Sequence, residues 1–405
     1  IAGRVQPPDG NHLEESGGDG GMKWEKVKLG DVCEITSSKR IFYSEYVDDG
    51  VPFYRSKEII ESDEGKAIEN PLYISVDKYN EIKEKFGVPQ TGDMLLTSVG
   101  TIGIPYIIKK NDCFYFKDGN LTWFREFRDG LNSKYLYYWV KSSEGTGILY
   151  NATIGSSQKA LTISALKNIK ISLPPRSVQD KIVEVISAYD DLIENNQKQI
   201  ELLEEAAQRL YKEWFVDLRF PGHEDTKIVD GVPEGWRRGL LKELISVNYG
   251  KDHKKAPDDG NIPVYGSGGL MRKCNKSLFS GEAVLIPRKG SLNNIMYVDE
   301  TFWTVDTMFY ATMKQPHTAV FVYFFVKAFD MYSMNIGAAV PSMTAKILDA
   351  MDVVIPDKET LEKFDKRAKT YFNKIKTLQG QNERLETARD LLLPKLMYET
   401  RKGDF

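Results

Sequence analysis

The sequence predicts an α+β protein of two similar β-rich bodies, separated by two long helices that pair as an antiparallel coiled coil with a pseudo-twofold internal repeat. Three observations predict it. The chain repeats itself: a constant shift of 182 residues, held without a gap, pairs Ile154-Gly155 with Ile336-Gly337, Thr162 with Thr344, Pro174 with Pro356 and Leu210 with Leu392. Each copy ends in a stretch whose apolar positions step alternately by four and three, the seam of a coiled coil. Upstream, each copy is cut by Gly, Pro and Asn into short extended runs that read as strands.

At 405 residues, 41% hydrophobic and 28% charged, the chain is long enough for two or three domains with cores of their own. It holds no run of 18 apolar residues to span a membrane. Residues 1–21 lack a signal-peptide pattern and read as a tag or disordered leader, with Met22 as the native start. Cys33, Cys113 and Cys274 are scattered singletons, which fits a reducing cytoplasm. The net charge of −3 hides a division: 176–220 is acidic, 357–405 is basic, and the bodies are near neutral. Opposite charge favours association of the two helical segments, and any nucleic-acid face must come from local clustering.

The first body, residues 22–175, contains the extended runs MLLTSV, IPYIIK, FYFK and LTWF, with helix expected near 134–141. Its repeat partner, 221–356, contains AVLIP, IMYV, WTVDTMFYATM and MDVVIP, with helix near 319–329. Looser matches link the bodies: Trp24 with Trp236, and Val51-Pro52-Phe53-Tyr54 with Ile262-Pro263-Val264-Tyr265. These strands are core. Chemistry is sought in loops where basic, polar and aromatic residues interleave, since Arg and Lys reach guanine or phosphate while Ser, Asn and Gln read base edges. In the first body they supply Ser38, Lys39, Arg40, Arg55, Lys57, Ser98, Gln158 and Lys159. In the second they supply Lys251, Lys254, Lys255, Tyr265, Ser267, Arg272, Lys273, Arg288 and Lys289, with Ser342 nearby. The GSGG run at 266–269 lacks P-loop spacing and reads as a tight turn.

The central segment, 176–220, carries the seam Ile182, Ile186, Tyr189, Ile193, Asn196, Ile200, Leu203, Ala207, Leu210 and Trp214, with Ser177 expected as N-cap. The C-terminal segment, 357–405, carries Phe364, Ala368, Tyr371, Ile375, Leu378, Asn382, Leu385, Arg389 and Leu392, and Pro394 is expected to end or bend it. Each seam has one uncharged polar residue. Placing Asn196 opposite Asn382 in an antiparallel pair sets Ile182 near Leu396 and Trp214 near Phe364, and a buried Asn–Asn contact fixes register at some cost in stability. About 33 paired residues span roughly 50 Å, or about 15 base-pair steps.

Catalytic constellations are absent from the sequence: no GxSxG, no HExxH, no nucleotide-binding glycine loop, and four dispersed histidines without metal-ligand spacing. The chain therefore reads as a non-enzyme without cofactors or metal.

The joints carry a specific resemblance. LKNIKISLPPRSVQDKIVEVI (166–186), LYKEWFVDLRFPG (210–222), GVPEGW (231–236) and LLLPKLM (391–397) resemble the shared regions of type I restriction–modification specificity subunits. The resemblance implies two target-recognition domains, each reading half of a bipartite site in double-stranded DNA through the major groove, and two helices paired antiparallel as a spacer. It also implies two flanking methyltransferase (modification) subunits, joined by restriction (motor nuclease) subunits, with methyl donor and ATP bound by those partners. The second joint departs, with Leu396-Met397 where the first has Trp214-Phe215. The competing expectation is a two-headed scaffold for peptide or glycan ligands, separable by the salt dependence expected only of DNA binding.

Overall fold

In the computed structural model, the described residues are 24–66, 68, 70–155, 159–333 and 342–399. The fold divides into two units: one runs up to Ile193 and resumes at Glu383, the other is Glu194–Asn382. The division therefore falls inside the two long helices, not at the segment ends 175, 220 and 356, because each half-helix packs on the body beside it.

In the first unit, Glu34–Thr36, Leu121–Arg125, Met94–Thr97 and Pro105–Ile107 form a four-stranded antiparallel sheet in that order. A second sheet orders Tyr46–Val47, Leu72–Ile74, Val51–Tyr54 and Tyr115–Phe116, the last two parallel. The expected helix lies at Ser133–Lys141; Asn132 caps it by accepting from the Lys134 and Tyr135 amides. Helices Ser56–Asp63 and Val76–Phe86 are further elements of this unit, not among those expected from the sequence.

The second unit is built the same way. Its sheet orders Ile245–Tyr249, Met308–Met313, Phe279–Pro287, Met296–Thr304, Ile262–Gly266 and Gly269–Cys274, mostly antiparallel. The GSGG run is a tight turn between the last two strands. Helix Ala319–Lys327 is apolar almost all round, and its core neighbours include Val284 and Phe309 from the sheet.

The internal repeat holds at the level of strand register. Glu25 pairs with Leu173 as Arg237 pairs with Ile355, shifts of 212 and 182. Tyr54 pairs with Phe116, parallel, as Tyr265 pairs with Thr304. Two bodies that share no long run of identity thus share one hydrogen-bonded scaffold.

The central helix is Arg176–Tyr211, followed by a π turn at Lys212–Val216, and the C-terminal helix is Lys358–Glu399. The central helix begins one residue before the expected cap Ser177, with the Val178 and Gln179 amides donating to Pro175 O. At the equivalent C-terminal position Asp357 is a capping side chain: it accepts from the Thr360 amide at 2.9 Å and from Trp236 Nε1 at 3.0 Å. Pro394 does not end the helix. It sits on the exposed side of a helix that continues to Glu399, while Leu393, Leu396 and Met397 are buried beside Ile182 and Ile186. Burial of that apolar turn outweighs the cost of one missing amide donor.

The expected pairing of the helices is present within each unit. In the first, Ile182 and Ile186 share a core with Leu393 and Leu396, Leu392 packs against it, and Tyr189, Ile193 and Leu385 are half-buried. Arg389 Nη1 lies 2.7 Å from Asp190 Oδ1, and the other Asp190 oxygen accepts from the Tyr138 hydroxyl at 2.7 Å. Burial opposes the Arg389 charge, but Asp190 outweighs it and holds the guanidinium above its ordinary pKa. In the second unit Ile200 and Leu203 meet Ile375 and Leu378, and Leu210 and Trp214 share a core with Phe364 and Tyr371.

Asn196 Nδ2 donates to Asn382 Oδ1 at 2.9 Å, with both residues buried. Asn196→Leu is expected to cost about 1–3 kcal/mol by removing this buried hydrogen bond and setting an apolar side chain against the Asn382 amide, and Asn196→Leu/Asn382→Leu to recover most of that loss. Equilibrium denaturation of both variants checks this; equal losses in the single and double variants would remove the pair's assigned role.

Candidate nucleic-acid interface

Each body gathers its polar loops at one corner, and the same backbone bonds build both corners. In the first body the Ser98 amide donates to Asn120 O at 2.8 Å, Leu161 N to Ser98 O at 2.9 Å, and Lys117 N to Tyr54 O at 2.8 Å. In the second, Arg288 N donates to Thr307 O at 2.8 Å, Met343 N to Arg288 O at 2.9 Å, and Val305 N to Tyr265 O at 3.0 Å. The bridge Val99–Ala160 matches Lys289–Ser342. Gly100 and Gly290 follow with φ of +80° and +84°, the left-handed region that favours glycine.

On this shared frame the side chains differ. Ser98 is buried, its hydroxyl 2.7 Å from Thr122 Oγ1, so it braces the first corner and presents nothing to solvent. At its equivalent, Arg288 lies across Tyr249 and Phe309, with its guanidinium 5.3 and 5.5 Å from the ring centres, and donates to Asp306 O. Tyr249 is itself exposed and was not among the expected contacts. Lys289 is exposed beside Arg288, and Ser267 is tied to the same corner, its carbonyl accepting from Asn294 Nδ2 at 2.9 Å.

The other expected residues divide into available and committed. Lys39 is exposed, its ammonium 4.4 Å over the Phe86 ring, and Lys57 is exposed in an ion pair with Glu61. By the 212-residue shift Lys39 corresponds to Lys251, likewise exposed. Lys254, Lys255 and Lys273 are exposed. Lys159 lies 3.5 Å over the exposed Tyr150 ring; its hydrogen bond and charge lower the phenol pKa. Gln158 falls outside the described residues. Ser38 is buried. Arg272 is committed internally, bonded to Asp258 and to the carbonyls of His253 and Ala256, because it pins the 253–258 loop to its strand. Tyr265 donates to Glu300 at 2.6 Å.

Arg55 and Arg40 come together where no spacing in the sequence shows it. They line a cleft of about 670 Å³ with Phe42, Tyr43, Lys117 and Asn120. Arg40 pairs with Asp118 at 2.8 Å, and Arg55 with the buried Glu58 at 2.5 Å. Burial pushes the Glu58 carboxyl up, but the Arg55 bonds hold it below its ordinary pKa, while Glu58 raises that of Arg55. Among the described residues no cluster of His, Cys, Asp or Glu could hold a metal ion, and no helix is long and apolar enough to cross a membrane.

Two copies of one scaffold, each presenting its own polar corner and each closed by half of a helix pair, define a two-headed recognition protein. The family model of the type I restriction modification DNA specificity domain matches this chain twice, at 22–205 and 233–387, and the chain belongs to that family. The specificity subunit of type I restriction enzyme MjaIX from Methanocaldococcus jannaschii is 26% identical over 93% of each chain. A putative type I restriction enzyme specificity subunit of Haemophilus influenzae is 31% identical over 46% of this chain and 45% of its own. The crystal structure of a type I restriction–modification S subunit from M. genitalium has the same fold, with a TM-score of 0.60 at 18% identity over 95% of this chain and 98% of that one.

Proposed function

We propose that this chain is the non-catalytic, sequence-reading subunit of a type I restriction–modification complex. Each body reads one half of a bipartite site in duplex DNA, the paired helices set the unread gap, and methyltransferase subunits dock at the joints and are joined by restriction subunits. Family membership supports the reading of DNA. What carries the division into halves is the repeated corner: one backbone frame is braced by the buried Ser98 in the first body and presents Arg288 and Lys289 in the second. A common frame fixes the approach to the groove, and different side chains select different bases.

The test is to map the methylated sites made by this chain with its methyltransferase partner, then repeat the map after exchanging 236–356 for another member's domain. One half-site should change and the other persist. Arg288→Ala should weaken binding by about 1–3 kcal/mol and relax discrimination within that second half-site alone. A change in both halves, or in neither, overturns the proposal.

A further inference from the structure

The two bodies differ at the short turn that follows the strand Glu34–Thr36 in the first and Ile245–Tyr249 in the second. In the first body the 3-10 turn Tyr43–Glu45 carries Tyr43, 90% exposed, and the preceding Phe42, 61% exposed; no large hydrophobic side chain among the described residues is more exposed than Tyr43. Such exposure of adjacent rings is unfavourable in water unless a ligand covers them. The turn is held firmly. Glu45 accepts from the Phe42 amide at 2.8 Å and pairs with Lys78 at 3.0 Å. Tyr43 meets Tyr46 edge-on at 5.9 Å, and Tyr46 packs on the buried Phe53 at 5.4 Å. A chain of ring contacts thus runs from the buried Phe53 out to Tyr43. Both rings border the cleft that also holds Arg40, Arg55, Lys117 and Asp118. In the second body the 3-10 turn His253–Lys255 follows the strand Ile245–Tyr249 and carries Lys254 and Lys255 instead of exposed rings. Both side chains are exposed.

We infer that the two heads engage their half-sites differently: the Phe42-Tyr43 tip inserts against an unstacked base-pair step in the first half-site, while Lys254 and Lys255 grip phosphates of the second. This rests on the proposed function and adds to it a deformation-dependent element of specificity on one side only. The cleft wall holds Arg40, Arg55 and Lys117 against one carboxylate, Asp118, and this excess of positive charge beside the rings favours nucleic acid as the occupant, since the phosphates beside an opened step need it. The first half-site should then favour a flexible pyrimidine–purine step at the insertion point.

The experiment uses the full chain with its methyltransferase subunits on duplexes carrying the mapped site, with 2-aminopurine placed in turn along the half-site assigned to the first body by domain exchange. One position should brighten on binding. Tyr43→Ala should abolish that signal and weaken binding roughly tenfold or more, with the salt slope unchanged, and Tyr43→Phe should restore the signal. Lys254→Ala/Lys255→Ala should keep the signal and lower the log–log salt slope by about 2. Retained discrimination at the second half-site shows that the Tyr43→Ala chain is folded. No brightening with the natural chain, or brightening and affinity that survive Tyr43→Ala, overturns the inference and leaves the proposed function standing. A natural complex without preference for the mapped site overturns the proposed function, and this inference with it.

Discussion

Phe364→Ala is expected to destabilise the second unit by about 3–5 kcal/mol, a large share of the stability of an ordinary domain. Phe364 is fully buried where the C-terminal helix, the end of the central helix and the second body meet. Its ring lies 4.8 Å from Phe215, 5.8 Å from Trp214 and 6.3 Å from Tyr211. Removing it leaves a cavity lined by rigid rings that cannot collapse inward. Leu203→Ala supplies the contrast: that residue is half-buried on the same seam and should cost distinctly less. Denaturant unfolding followed by tryptophan fluorescence checks both, because Trp214 lies against the altered site. A loss below about 1 kcal/mol for Phe364→Ala would mean that the joint is not a packed core.

Removing one heptad from each helix is the second large change. Deleting 197–203 with 375–381 keeps the Asn196–Asn382 pair and the seam phase, because seven residues restore the alternation of four and three. Each helix shortens by about 10 Å, roughly three base-pair steps. Under the proposed function the unread gap in the methylated site should shrink by about that amount while both half-sequences persist. Mapping methylated sites with the shortened chain reads this directly. An unchanged gap would refute the ruler; altered half-sequences would show that the deletion damaged the bodies.

Much of this was legible in the chain because each signal came from a periodic or repeated feature. The 182-residue shift reappears as strand register, and one uncharged polar residue per seam was enough to select the Asn196–Asn382 contact, since a buried amide facing Leu or Ile would lose that hydrogen bond. The strands around Met94 and Val284, and helices Ser133–Lys141 and Ala319–Lys327, follow from apolar runs bounded by turn residues. That the helix does not end at Pro394 is decided by the buried turn of Leu393, Leu396 and Met397, which a local rule about proline does not see. The loop residues were sorted by chemistry alone, and chemistry does not reveal commitment. Ser98 and Arg272 look like available donors until Thr122 and Asp258 take them. Phe42 and Tyr43 went unnoticed because an aromatic pair in sequence is more often core.

By itself, then, the sequence determined duplication, helix pairing and its register, and the family. All of these are written in spacing, which survives when bodies diverge. Only the tertiary structure decided which polar side chains remain free, that Arg40, Arg55 and Tyr43 share one cleft, and that Ser98 and Arg288 occupy equivalent places. Those relations join residues far apart along the chain, and the backbone bonds that bring them together leave no mark on side-chain identity.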